Sequence, residues 1–290
     1  MSYPGLKVAR MKPSPARTLW NTIEPIHAVV YFAPEPAAAA KDVGLRGWWM
    51  GYFAGRAAPL GPIGPEPVTS MFFGFAPRMV ERALPDAWTF ASPADVLRTR
   101  VEAVEAALAR LLGPDTVDEL AALLEQAAAA CSFDARPLAA AWSAVPRPDR
   151  PLARLWLATA VLREHRGDGH VLAAVASGLT GLETTLTHIA TGATAREQVQ
   201  RARGWTDEEW AEATATLIDR GLLDAEGLTP AGAEVRRTIE ETTDRLAAAP
   251  LEALGPSGVD RVLELAVPLS RRIIDSGGVP VPNPMGVGRP

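Results

Sequence analysis

Lysine and cysteine are almost missing from this 290-residue chain: three lysines stand against 26 arginines, and Cys131 is the single thiol. One cysteine leaves no internal disulfide, and its place behind an AAAA run reads as a buried structural thiol rather than a nucleophile. Uncharged apolar runs of about 18 residues are missing too, so no membrane-spanning helix is expected. The N-terminus, MSYPGLKVARMKPSPARTLW, has no apolar signal core, which leaves a cytoplasmic protein as the expectation. No Walker loop, no GxGxxG after a strand, no GxSxG elbow and no CxxC pair occurs, which disfavours common nucleotide-binding, hydrolase and zinc-finger chemistries. With a net charge of −5, bulk electrostatics recruits no phosphate backbone. The 48% apolar and 22% charged residues are those of a globular chain long enough for two cores.

What the chain does have is internal repetition. RTLWNTIEPIHAVVYFAPEPAAAAKDVGLRG and RLWLATAVLREHRGDGHVLAAVASGLTG align Trp20 with Trp156 and bring Gly44-Leu45 near Gly178-Leu179 after a two-residue gap. Each copy closes with a capped helix, SPADVLRTRVEA from Ser92 and TPAGAEVRRTIEE from Thr229, with Arg100 and Arg237 at equal offsets. This pattern reads as a duplication.

The second copy is the more explicit. Thr206 with Glu209 forms a capping box before Trp210, Ala213 and Leu217 on one helical face, and Gly221 ends that helix. A short hairpin around Asp224 to Gly227 follows, then a helix capped by Thr229 with Pro230 at its first position. That order is a winged helix-turn-helix of the MarR type. The expected fold is therefore mainly α with short β-hairpin wings: two tandem winged helix-turn-helix domains forming a pseudo-dimer within a monomer. The expected boundaries are a flexible N-terminus (1–14), a first domain (15–112), a linking helix (113–136), a second domain (137–250) and a C-terminal extension (251–290). The helix that would enter a major groove, Trp205 to Arg220, carries Asp207, Glu208, Glu209, Glu212 and Asp219 against Arg220. Phosphates repel such a helix. Arg196, Arg201 and Arg203 just upstream keep backbone contact open. In the first copy, the matching segment from Glu66 to Arg82 surrounds itself with Met71, Phe72, Phe73, Phe75 and Met79, as core or as a ligand wall, and Pro77 should kink it.

EPIHAVVYFAPE, GRAAPLGP, LREHRGDGH, RGWTDEEW, RGLL with LTPAG, EETTDRLA and the terminal PNPMG together resemble an actinobacterial family labelled SalK-like or helix-turn-helix. The likeness runs from about Arg17 to Gly286 and implies paired winged-helix-like domains, with no particular reaction attached.

The candidate site residues come from the polar groups of the inner segments. Gly167 and Gly169 should break the helix RLWLATAVLREH, with Asp168 capping a new one. Arg163, Glu164, His165, Arg166 and His170 then surround that break, as a site for an anionic or polar ligand or as a salt-bridge cluster. His165, Asp168 and His170 also match a two-histidine, one-carboxylate metal set in ligand types, though their spacing assigns no metal. His27, in the apolar PIHAVVYF, is a buried neutral imidazole or a functional base; a haem ligand would need a second signal that is missing. Arg56 either holds a ligand or pairs with Glu24 or Glu35. The expectation is a small-molecule-binding or enzymatic protein that has lost DNA binding, with a pocket at the junction of the two copies. His27 and His170 would be catalytic, Arg56, Arg163, Glu164, His165 and Arg166 would bind ligand, and the cofactor, if any, is not specified. The alternative is a ligand-responsive regulator that binds DNA.

Overall fold

The computed structural model describes residues 13–114 and 116–290, so the expected flexible N-terminus lies, but for its last two residues, outside the described residues. The first half comprises α1 (Pro15–Phe32), α2 (Pro34–Asp42), α3 (Gly47–Ala57), α4 (Pro65–Phe72), α5 (Pro77–Glu81), α6 (Ala87–Phe90) and α7 (Pro93–Leu112). Helices α8 (Asp118–Ala129) and α9 (Pro137–Ser143) lead to the long α10 (Pro151–Ala176). Then come α11 (Gly181–Ile189), α12 (Arg196–Arg203), α13 (Asp207–Asp219), β1 (Leu223–Asp224), β2 (Gly227–Leu228), α14 (Pro230–Leu246) and α15 (Ala249–Asp275). Many of the prolines are start signals: one sits in the first turn of α1, α2, α4, α5, α7, α9, α10 and α14, where its missing N–H has no intrahelical partner to lose.

The chain is mainly helical, and its second half has the expected order of helices, hairpin and helix. β1 and β2 pair antiparallel through Leu223 opposite Leu228, and Asp224 Oδ1 accepts the backbone N–H groups of Glu226 (2.8 Å) and Gly227 (3.1 Å) to hold the turn. Several landmarks of the expected repeat have local structural counterparts. Trp20 and Trp156 are each the sixth residue of a helix opened by proline. After Gly44 and Gly178, both at positive φ, the Leu45 and Leu179 N–H groups reach back to Ala40 and Ala174. Ser92 and Thr229 each cap the N–H three residues on.

Three expectations need correction. Among the described residues the first half has no hairpin: α6 lies where the wing would be, because Pro85 cannot donate to a ladder and Trp88 and Phe90 pack on the first-half core, with the Trp88 Nε1 hydrogen donated to the Ile63 carbonyl. Arg100 is buried whereas Arg237 is exposed between Glu234 and Glu241, and the buried arginine of α14 is Arg236. Finally, Gly167 and Gly169 do not break α10, which is continuous. Two helical glycines cost about 1 kcal/mol each, and α10 recovers this by packing on α1, α7, α8, α9 and α14. A Cβ on Gly169 would meet Leu246 at 3.4 Å, so the glycine admits the end of α14. Asp168 does cap a helix, but it is α9: its carboxylate accepts the Ala139 N–H at 3.0 Å.

The central core joins α1, α7, α8, α10 and α15, and includes Trp142 and Trp156, both fully buried. Cys131 lies within it, its thiol pushed up to about 12 by burial against the opposing influence of Arg136. Two satellite cores serve the aromatic first half and the second half that carries the hairpin. The halves interlock around Gly74, whose carbonyl accepts the Trp205 indole N–H at 3.0 Å, while the Ala76 N–H reaches the Arg203 carbonyl at 2.9 Å. Among the described residues no helix is long and apolar enough to cross a membrane.

Candidate functional site

A cavity of about 430 Å³ opens where α1, α3 and α4 meet α10, α11, α12 and α14. The chain cannot be continuous helix on its first-half side, because Phe73 turns to φ +36 and Pro77 restarts the helix as α5. The break therefore falls earlier than Pro77 itself. It leaves Phe72, Phe73 and Phe75 on the wall, facing Trp48, Trp49 and Tyr52 of α3. These rings pack on one another: Trp48 stacks on Tyr52 at 5.2 Å and Phe53 meets Phe75 edge-on at 5.1 Å.

Charge enters from the facing helices. Arg56 grips Glu164 with two parallel bonds, Nε to Oε1 at 3.1 Å and Nη2 to Oε2 at 2.7 Å, and its Nη1 donates to the Tyr52 hydroxyl at 2.9 Å. Arg163 bridges Glu24 and Glu164, at 3.0 Å to each. Arg56 thus pairs with neither acid expected for it: Glu24 is taken by Arg163, and Glu35 faces Arg110 on the surface. Burial alone would raise Glu164, but Arg56 and Arg163 outweigh it and hold the carboxyl below its usual range. Glu24, equally buried but paired with Arg163 and not Arg56, is pushed up by burial. Tyr52 feels the same opposition: burial would raise its phenol, and Arg56, Arg203 and Arg163 bring it below its ordinary value.

A second polar group comes from α14, where Arg236, Glu240, Thr243 and Asp244 follow the spacing of one helical face. Glu240 joins Arg236 and Arg17, and Asp244 joins Arg17, Arg166 and Ser14. His170 contacts the Thr243 hydroxyl through Nδ1 at 3.0 Å, and that hydroxyl gives its own proton to the Ile239 carbonyl at 2.7 Å. The Nδ1 atom must then be the donor, which leaves Nε2 as a bare acceptor. Burial, with help from Arg236, lowers His170 to about 4, so it is neutral near pH 7.

Of the seven predicted site residues, Arg56, Arg163, Glu164, Arg166 and His170 line this cavity, and His27 and His165 do not. His27 lies in the core, stacked on Trp156 at 5.5 Å and touching the Tyr31 hydroxyl at 3.3 Å, its pKa far below 6.5 through burial and then Arg163. His165 contacts Arg136 on another side of α10. His165, Asp168 and His170 thus face three separate partners, and among the described residues no cluster of three or more histidine, cysteine, aspartate or glutamate side chains could hold a metal.

Sequence reasoning missed Arg17, Arg203, His188 and Arg236, all of which line the cavity. Arg203 is the instructive one. Grouped with Arg196 and Arg201 as a possible phosphate contact, it instead turns inward over the Phe75 ring at 4.2 Å, while Arg196 pairs with Asp207. Among the described residues Arg203 meets no carboxylate, and burial lowers its pKa. Its two-residue offset from Arg201, which puts the side chains on opposite sides of a helix, was the available signal. The PNPMG stretch also has a place: Asn283 accepts from the Met285 and Val287 N–H groups and donates to the Pro280 and Val287 carbonyls, and this presents Pro284, Met285 and Gly286 to the cavity.

Compared with known proteins, the chain matches the model of a family described as helix-turn-helix over residues 16–280. No curated protein and no solved structure matches it significantly.

Proposed function

The chain belongs to this helix-turn-helix family, and from that premise we propose that it is a small-molecule-binding protein whose paired helix-turn-helix halves enclose a ligand instead of reading DNA. The ligand is an anion with an aromatic or apolar body. One observation carries this reading: among the described residues six arginines but four carboxylates line the junction cavity, and Arg203, over Phe75, is the cation left without a carboxylate. An aromatic acid supplies both missing contacts, a carboxylate for Arg203 and a ring for the Trp48, Tyr52 and Phe75 wall. The bare Nε2 of His170 adds an acceptor, and it is the group that would serve as a base if the ligand is also turned over.

The surface used for DNA by such folds supports the same reading. The turn between α12 and α13 abuts the first half: a Cβ on Gly204 would fall 2.3 Å from Met79, and Arg78 pairs with Glu209 at 2.6 Å. On α13, Asp207, Glu208, Glu212 and Asp219 are exposed, and the hairpin beyond adds Asp224 and Glu226. A groove would meet carboxylates. With both halves in one chain, a monomeric pseudo-dimer is the natural assembly.

Calorimetry with naphthoate, against its neutral amide, tests the proposal. The acid should bind, and Arg203→Ala should weaken it at least about tenfold, the worth of one charge-assisted contact. Equal affinity for acid and amide would defeat it. A sub-micromolar gel shift on the protein's own upstream DNA, resistant to random competitor, would favour the regulator.

A further inference from the structure

On the other side of the Tyr31, Trp48 and Tyr52 wall lies a second, smaller cavity of about 210 Å³, between the end of α1, α2, α3 and α7. Its lining is apolar through Val30, Ala37, Ala40, Val43 and Val96, with Lys41 exposed at the rim. Gly47, Gly51 and Gly55 recur every fourth residue along α3 and all face it. The spacing keeps one side of that helix bare. At Gly55 the need is specific: a Cβ there would stand 2.4 Å from Arg100 Nη1.

Arg100 gives the cavity its chemistry. Its side chain leaves α7 and is 8% exposed, yet among the described residues it has no carboxylate partner. Its Nε and Nη2 are shut away without any hydrogen bond, and Nη1 reaches the cavity wall at Gly55. The guanidinium lies over the faces of Tyr31 at 5.6 Å and Trp156 at 5.9 Å. An arginine cannot shed its proton, so a buried one with no ion pair among the described residues carries a desolvation cost that ring faces and the more distant Glu164 offset only in part. Among the described residues the arginines lining the junction cavity are paired, as Arg56 is with Glu164, apart from Arg203.

We infer that this second cavity is a binding site for a small aliphatic carboxylate, with the carboxylate on Arg100 and the apolar tail along the glycine face of α3. A single buried cation with apolar surroundings fits a monoanion that has a hydrocarbon body. A phosphate would bring more charge and more acceptors than Arg100 and Lys41 can meet. The glycines make room for the tail, and Lys41 at the rim draws the anion in.

The test uses the full chain and octanoate as the probe, with octanol and octylamine as neutral and cationic controls. Calorimetry should show octanoate binding at least about tenfold more tightly than octanol. Arg100→Met should remove that preference while the urea midpoint stays level or rises, since an unpaired buried charge has been taken away; a merely structural arginine would lower the midpoint. Arg100→Lys, which keeps the charge, should retain part of the binding. Ala37→Trp, at the exposed rim, should weaken octanoate and octanol together. Arg203→Ala should leave the Arg100-dependent octanoate binding in place, which separates this site from the junction cavity. The inference is overturned if octanoate does not bind, if octanol binds as well, if Arg100→Met binds like the parent, or if the loss follows Arg203 instead.

Discussion

Replacing Glu164 by leucine probes the buried ion network directly. Glu164 is 2% exposed and accepts two bonds from Arg56 and one from Arg163. Leucine fills similar space and removes every acceptor. Arg163 keeps Glu24, whereas Arg56 keeps no carboxylate, just the Tyr52 hydroxyl and the faces of Phe72 at 4.1 Å and Tyr52 at 5.6 Å. The cost is therefore mainly that of stranding one guanidinium, at the lower part of the ~3–5 kcal/mol typical for breaking a buried pair. Removing both charges together is a different perturbation, because the desolvation burden leaves with them. Arg56→Met with Glu164→Leu should thus recover about 2 kcal/mol or more over the single change. Urea unfolding measures both, provided the slope is unchanged, so that midpoint shifts report stability. The reasoning fails if Glu164→Leu costs under about 1 kcal/mol, as an exposed pair would, or if the double variant is no better than the single.

Acid should destabilise the protein in a defined window. His165 and His170 are each lowered to about 4 from 6.5 by burial, so the unfolded chain takes up protons first and the stability they supply, full above about pH 6.5, is lost as pH falls toward 4. Each is worth about 3 kcal/mol, and Asp168, raised by burial to about 6, opposes them, its contribution being full below about pH 4 and lost as pH rises to 6. A urea midpoint that stays flat between pH 4 and 6.5, or keeps its slope in the double His-to-Gln variant, contradicts this. Gly181→Ala places a Cβ 1.8 Å from the Phe73 carbonyl oxygen and should cost at least the ~1–3 kcal/mol of ordinary overpacking, because backbone cannot swing aside. Gly192→Ala, at φ +77 with open space around it, should cost only the ~1–2 kcal/mol of a left-handed residue; equal thermal shifts for the two would mean the halves are not pressed together at Gly181.

Local chemistry made much of the fold legible. Proline starts, Ser and Thr caps, and the glycines ending α2, α10 and α13 are each decided by a few adjacent residues, and these landmarks are where the repeat was read. The first-half wing and the break in α10 were misread because tertiary packing decided them. Trp88 and Phe90 gain more from the core than a hairpin would give, and five neighbouring helices hold Gly167 and Gly169 helical.

The site was legible in residue type and not in pairing. LREHRGDGH announces buried polar groups, but which acid faces Arg56 depends on a contact 108 residues away, where nearer acids at Glu24 and Glu35 were available to guess. A long helix also sends consecutive residues to different partners: Glu164 and Arg163 pair across the cavity, His165 turns to Arg136, and Asp168, at the cavity wall, caps the start of α9. The stretch therefore shares a cavity without forming one hydrogen-bonded cluster, and His165 is turned away from it. The overlooked signal lay in α14. Ile239 is fully buried, and Arg236, Glu240 and Thr243 flank it at helical spacing, so their side of the helix had to face inward. A charged pair held against a buried isoleucine needs partners from another element, and Arg17, His170 and Arg166 are what the fold supplies there.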